Sequence, residues 1–343
     1  MRKEAVFFTV MAVLLFAATV TGLHRGEGGG SWSDTVSALF LSGDNKDLEY
    51  FIYYLRLPRI TAAVFTGMSL AVCGVILQNV LNNPLASSFT LGLSQGAAFG
   101  AAFSIIVLGA GSTQFTGSGV VLGNPGYVAA GAFAGSLAAS AVILLFSFVR
   151  GMTPQGLILA GVAVSSFFGA CTMLLQYFST DSQLAAAVFW TFGDLGKGGW
   201  TEALTMAGVC LAGTLFVLRY SWDYNSVAWG ESYAAGLGVE VRKVRVYSLV
   251  VTAVMAAFAT AFYGVIGFIG LLAPHMVRLV FRQAGHGFLI PAAGLLGGVL
   301  LLSADIAAQA VLYPTALPVG VITSFAGVPV FLGLLLRRSI KNA

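Results

Sequence analysis

The sequence predicts an all-α polytopic membrane protein with about ten transmembrane helices and both termini on the cytoplasmic side. Three observations point there. Hydrophobic residues fill 58% of the 343 positions and charged residues only 9%, against roughly 25% charged in a soluble domain. Several charge-free windows are each long enough, at about 20 residues, to cross a hydrocarbon core of roughly 30 Å. The Lys and Arg residues gather in short clusters between those windows, as they do in cytoplasmic loops.

The first apolar run, 5–23, follows Arg2 and Lys3. It has the layout of a secretory leader, but the many later spans favour an uncleaved first helix. Further basic anchors stand at Arg150, at Arg219 with Arg242, Lys243 and Arg245, at Arg278 and Arg282, and at Arg337, Arg338 and Lys341. If all are inside, an even number of crossings separates successive anchors. That parity gives spans at 5–23, 58–80, 90–110, 126–149, 155–178, 200–218, 246–264, 270–282, 288–311 and 319–336 in a single domain, 1–343, with a cytoplasmic connection at 221–243. The run from Arg245 to Arg282 would make a straight helix of roughly 55 Å, too long for one crossing. Gly264, Gly267 and Gly270 offer places to break it, and Pro274 lies near the start of the short return. Arg25, Lys46, Arg56, Arg59 and Lys197 then fall outside.

Glycine is abundant, at 43 residues. Gly92, Gly96 and Gly100 recur every four positions and are read as one helix face for close packing. Between the spans, "NNPLASS" at 82–88 and "RGMTP" at 150–154 are short cytoplasmic turns. Within 221–243, Trp229 to Leu237 can form a short helix ended by Gly238, lying at the interface or docking on a partner. The outer segment 179–200 is too apolar for a loop and suggests a helix tucked into the outer mouth.

Composition and motifs exclude most chemistry. Cys73, Cys171 and Cys210 stand singly in apolar runs and read as packing residues. Gly196-Lys197 is followed by Gly198, and Thr191 occupies the upstream glycine position, so there is no phosphate loop. His24, His275 and His286 are too scattered for a metal cluster. The net charge of +4 implies nothing about nucleic acid, because the basic residues sit in short loops and tails. Asp305 is the clearest ionisable group inside a span, where such groups are functional suspects; a hydrogen bond to a neighbouring helix is its simpler role. The chain reads as a conduit without its own energy source. A stand-alone secondary carrier or channel, or an intramembrane enzyme, remain the other classes at this point.

Arg56 and Arg59, in "RLPR", oppose the positive-inside trend. Pro58 suits a first helical turn, which would place Arg59 where the helix dipole disfavours a cation. Snorkelling to lipid phosphates is one explanation; an acidic partner is the other.

The stretch "RLPRITAAVFTGMSLAVCGVILQNVLNNPLASSFTLGLSQGAAFGA" resembles permease subunits of binding-protein-dependent ABC importers for iron-siderophores, haem and vitamin B12, the type II importers. So do "LILAGVAVSS" at 157–166, "FWTFGDL" at 189–195, "GESYAAGLGV" at 230–239, "GVIGFIGLLAPHMVRLVF" at 264–281 and "LPVGVITSFAGVPVFLGLLLRR" at 317–338. The resemblance covers nearly the whole chain in order. It implies a homodimer in a prokaryotic cytoplasmic (inner) membrane, with the translocation path between the copies. It also implies two ATP-hydrolysing partner subunits, which would hold the ATP and Mg while this chain binds no cofactor or metal. A periplasmic or lipid-anchored binding protein would deliver the cargo, a ferric siderophore first, cobalamin or haem next. By the same resemblance Arg56 and Arg59 dock the binding protein. Gly230, Glu231, Leu237 and Gly238 belong to the segment that couples to the ATPases. Asn82, Asn83, Pro84, Met152, Thr153 and Pro154 form a cytoplasmic gate. Some members carry a further outer arginine four residues after the Asp of the ninth helix; Gln309 stands there in this chain.

Overall fold

The computed structural model describes residues 2–25, 31–41, 45–110, 114–116, 119–121, 123–149, 153–282, 284–312 and 315–342. Nearly all of them are helical. In chain order the helices are α1 (Arg2–His24), α2 (Trp32–Leu39), α3 (Lys46–Tyr50), a π-helical turn (Phe51–Arg56), α4 (Leu57–Val80), α5 (Leu93–Ile106), α6 (Pro125–Ser147), α7 (Pro154–Tyr177) and α8 (Asp181–Thr191). A 3₁₀ turn (Leu195–Lys197) leads to α9 (Trp200–Arg219), α10 (Ser221–Ala228), α11 (Glu231–Gly236), α12 (Val241–Tyr263), α13 (Ile269–Val280), α14 (His286–Val311) and α15 (Val319–Asn342). One antiparallel hairpin, β1 (Gln114–Thr116) with β2 (Gly119–Val121), lies between α5 and α6. Among the described residues seven helices are long and apolar enough to cross a membrane, and three shorter apolar ones, Leu93–Ile106, Ile269–Val280 and Val319–Val330, accompany them.

Helix α4 is the hub. It packs against α9, α12, α13 and α14, while α5 pairs with α6 and rests on α7 and α8. In the most apolar stretch of the helix ending at Val80, 78% of the residues are buried, against 22% in α7 and 11% in α1. Small residues allow this. A Cβ on Gly67 would stand 2.3 Å from the Gly297 carbonyl oxygen, and one on Gly74 only 1.8 Å from that of Gly270. Gly96 and Gly100 meet Gly135 and Gly131 of α6 in the same way. The third member of that stripe, Gly92, is not on the helix face. It adopts φ +83° and caps α5.

Three boundaries differ from the sequence reading, each for a local reason. α5 begins at Leu93 instead of 90, because Ser87 and Thr90 exchange side-chain and backbone hydrogen bonds of 2.9 Å that compete with helix. Its 14 residues span about 21 Å. Next, α4 starts at Leu57 with Pro58 in its first turn, but it has no free N-terminus. The helix is continuous from Lys46 to Val80, 35 residues. Pro58 cannot donate, and its ring would press on the Tyr54 carbonyl in a regular α-helix; the preceding turn widens, with the Leu57 N–H on the Ile52 carbonyl. Arg59 therefore stands well inside a helix and meets no N-terminal dipole. Finally, the long run after Arg245 breaks at Gly264 (φ +74°) and Phe268 (φ +67°), whereas Gly270 lies within α13. Pro274 leaves the Gly270 carbonyl without its helical donor, and Gln78 Nε2 supplies one from α4 at 3.3 Å.

The two ends of the bundle carry different groups. Asn79 Nδ2 donates to the Tyr224 carbonyl at 3.0 Å, and Arg242 donates to the Phe148 carbonyl at 3.1 Å. These contacts gather the 82–84 turn, the start of α7 and the 221–243 connection at one end. Arg59, Asp194 and Asp305 mark the other.

Gly74→Ala is expected to lower the thermal stability of the purified protein by about 1–3 kcal/mol, because overpacking here pushes on backbone. Gly208→Ala, where a Cβ would meet nothing within 4 Å, should leave it unchanged or raise it slightly. Detergent-solubilised thermal unfolding of the two variants checks this.

Candidate functional site

At the Arg59 end the structure builds an internal ionic cluster. Arg59 Nε donates to Asp305 Oδ2 at 2.9 Å and Nη2 to Oδ1 at 2.9 Å. Asp305 is 1% exposed and also accepts from Gln309 Nε2 at 2.8 Å. The second carboxylate, Asp194 Oδ1, lies 3.5 Å from Arg59 Nη2 and is far more open. Arg56 is 5% exposed and donates to the Leu23 carbonyl of α1. The sequence reading treats both arginines as outward docking charges. In the structure Arg56 lies beneath the surface, and Arg59 already holds a buried carboxylate, because an unpaired guanidinium at that depth would carry a large desolvation cost. Asp305 does bond a neighbouring helix.

The loop after α8 completes this end. Its backbone joins three elements: Asp194 N–H donates to the Tyr263 carbonyl at 2.9 Å, Phe192 bridges Val265, and Gly320 N–H reaches the Gly193 carbonyl at 3.2 Å. Lys197 is exposed, and its ammonium donates to the carbonyls of Trp190 and Phe192 at 2.9 and 2.7 Å. Loss of water there lowers its pKa to about 8, with Asp194 pulling the other way. α8 buries Ala186, Ala187 and Trp190 and packs on α5. Beside the loop runs a groove of about 570 Å³ lined by Thr191, Phe192, Gly193, Gly320, Ser324 and Phe325, among others. None of its lining residues is charged.

At the opposite end the expected helix from Trp229 to Leu237 is present as the slightly shorter α11. α10 stops at Ala228, Gly230 turns the chain at φ +120°, and α11 runs only from Glu231 to Gly236. Gly238 ends the segment at φ +83°. A side chain is strained at either angle. Leu237 is exposed, as are Trp222, Trp229 and Tyr233. Glu231 is ion-paired with Arg245 of α12. In the gate candidates the structure shows turn chemistry. Asn82 adopts φ +43°, Asn83 Oδ1 accepts from Leu85 N–H at 2.8 Å across Pro84, and Thr153 Oγ1 caps α7 through Gly156 N–H at 3.2 Å with Pro154 in the first turn. Met152 lies outside the described residues. The two turns share an end, but among the described residues no hydrogen bond joins them.

Asp194 and Arg245 carry contacts that the sequence reading did not assign. Asp194 lies inside a recognised motif, but the partner that explains it is remote. Arg245 reads only as a basic anchor. Among the described residues no group of three or more His, Cys, Asp or Glu could hold a metal ion.

The model of the FecCD transport family matches residues 13–337. The chain belongs to the FecCD transport family. A Methanocaldococcus jannaschii protein named as an ABC transporter permease is 45% identical to it, over 98% of this chain and 95% of that one. The hemin transport system permease of Yersinia pestis is 36% identical, over 90% of each chain. The cobalamin import system permease of Halobacterium salinarum is 37% identical, over 84% of this chain and 73% of its own length. A solved inward-facing structure, described as that of a metal-chelate type ABC transporter, superposes with a TM-score of 0.82 at 28% identity, over 97% of this chain and 99% of that one. This FecCD-family chain is thus a multi-pass permease of the ABC importer type in the cytoplasmic membrane, a transport component rather than a catalyst.

Removing one side of the buried pair should be worse than removing both. Arg59→Met alone is expected to destabilise the permease by about 3–5 kcal/mol, and adding Asp305→Leu should recover most of that. Thermal unfolding of the single and double variants measures the difference.

Proposed function

We propose that this permease passes a metal chelate, a ferric siderophore first and cobalamin or haem next, from a binding protein into the cytoplasm along the interface of two copies. The observation that carries this reading is the uncharged groove beside Gly193 and Gly320. A preformed chelate brings its own metal ligands, so a path for it needs smooth, uncharged walls and no ligand set. The many exposed large side chains of α7, among them Leu159, Phe167, Met173 and Leu174, suit a helix that faces a second copy. Two ATP-hydrolysing subunits, which hold ATP and Mg, would sit on the end that carries Gly230, Glu231, Leu237 and Gly238, making that end cytoplasmic. The turns at Asn82–Pro84 and Met152–Pro154 would close the path there.

The binding protein, periplasmic or lipid-anchored, would dock at the Arg59 end. An acidic group on it would compete with Asp194, the longer and more open of the two Arg59 contacts, while Asp305 stays bound. Arg56 would act from below by holding α1 against the start of α4. Asp194→Asn should then tighten docking by about threefold or more at low salt, where charge effects are least screened. Unchanged affinity in a binding measurement would remove Arg59 from the docking surface.

Proteoliposomes test the main reading. The chain alone should take up no chelate. With its ATPase subunits and binding protein it should show ATP-dependent uptake of ferric siderophore faster than of cobalamin or hemin. Ion-gradient uptake by the chain alone would overturn the importer reading, and uptake confined to cobalamin or hemin would overturn the choice of cargo.

A further inference from the structure

We propose that Arg245 is a positioning residue that makes α11 and α12 move as one body, so that motion of the coupling segment reaches the opposite end of the permease. This rests on the reading that ATPase subunits seat on α11. The segment is built to move. Its helix, α11, is only six residues long and is flanked by Gly230 and Gly238, both at positive φ, where a Cβ would meet nothing within 4 Å. A helix hinged this way on both sides transmits force only through what ties it to its neighbours.

Those ties are few. Ala234 is buried, and its carbonyl accepts from Val239 N–H at 3.0 Å, which closes the segment on itself. The side-chain tie to α12 is the ion pair of Glu231 with Arg245. It is not an ordinary surface pair. The Arg245 side chain is 11% exposed, and its Nε is buried without a hydrogen-bond partner among the described residues. Glu231 therefore supplies the counter-charge to a largely desolvated guanidinium, and its loss leaves that charge uncompensated. The Lys243–Glu240 pair, near Arg245 in the chain, is more than 60% exposed on both sides; a pair of that kind contributes little.

α12 then carries the motion. Its 23 residues reach about 34 Å. The far end is fastened to the Arg59 cluster, because the Tyr263 carbonyl accepts from Asp194 N–H at 2.9 Å and Asp194 faces Arg59. A second fastening near the first end, Tyr224 OH with Ser248 Oγ at 2.9 Å, holds α10 to the same helix. The rod thus joins the proposed ATPase seat to the proposed docking end.

The test uses the full complex in proteoliposomes and reads chelate uptake per ATP hydrolysed. Arg245→Gln and Glu231→Gln should each lower that ratio by about tenfold or more, with ATP hydrolysis falling less than uptake. The exchange Glu231→Arg with Arg245→Glu should restore the ratio to within about threefold of the parent, since the pair is local and reciprocal. Lys243→Gln should leave it unchanged. If Arg245→Gln fails to fold, Glu231→Gln on the exposed side decides alone. An unchanged ratio in the single variants overturns the proposal. So does an exchange variant no better than Glu231→Arg alone, which would mean that Glu231 meets the ATPase directly. Leu237→Asp separates the underlying reading: if it leaves ATPase assembly intact, α11 is not the seat, whatever Arg245 does.

Discussion

Backbone-on-backbone contact along α4 is the constraint from which the rest follows. In a membrane, apolar side chains gain nothing from leaving lipid for protein, so helix association rests on packing and interhelical bonds. Gly67 against Gly297 and Gly74 against Gly270 bring α14 and α13 closer to α4 than any side chain would permit. That closeness sets what the polar groups can reach. At one end Asp305 of α14 comes within bonding distance of Arg59. At the other, Gln78 reaches the carbonyl that Pro274 strands and also accepts from Arg278. A helix normally keeps its hydrogen bonds to itself; here a proline in α13 makes one of them the business of α4.

The same constraint explains the unusual arginines. Positive charge at the Arg59 end is largely compensated within the chain, by two carboxylates from different elements and by backbone carbonyls. Burying ions costs several kcal/mol each, and only well-formed pairs offset that. The Arg59 cluster meets the condition with a two-pronged bond to Asp305 and a third acceptor contact from Asp305 to Gln309. A glutamine in that position adds a donor to Asp305 without adding charge. What is left for a partner is the Asp194 side, half open and longer.

At the other end the design is reversed. The surface that would face partner subunits is aromatic and apolar, with Trp222, Trp229, Tyr233 and Leu237 exposed, while the one acidic side chain of α11 is bound inward to Arg245. Specificity there would come from shape and apolar area, and charge would serve to fasten the segment to the body.

Composition and charge patterning alone were enough to place this chain among polytopic helical membrane proteins, because the lack of charge over stretches of helical crossing length is a one-dimensional property. Local chemistry was equally readable where it acts over a few residues: Gly238 after α11, Thr153-Pro154 at the start of α7, the break at Gly264 and the close-packing role of Gly96 and Gly100. Tertiary structure decided everything that joins distant positions. Arg59 and Asp305 are 246 residues apart, and no periodicity brings them together, so their pairing was not readable in the sequence. Pro58 does lie in the first turn of α4, but only the structure shows that a widened turn joins α4 to the helix before it. Glu231 and Arg245 are 14 residues apart, and only the turn at Gly238 between α11 and α12 brings them together. Sequence specifies which groups must be neutralised in a medium of low dielectric; the three-dimensional approach of the helices selects the partner that does it.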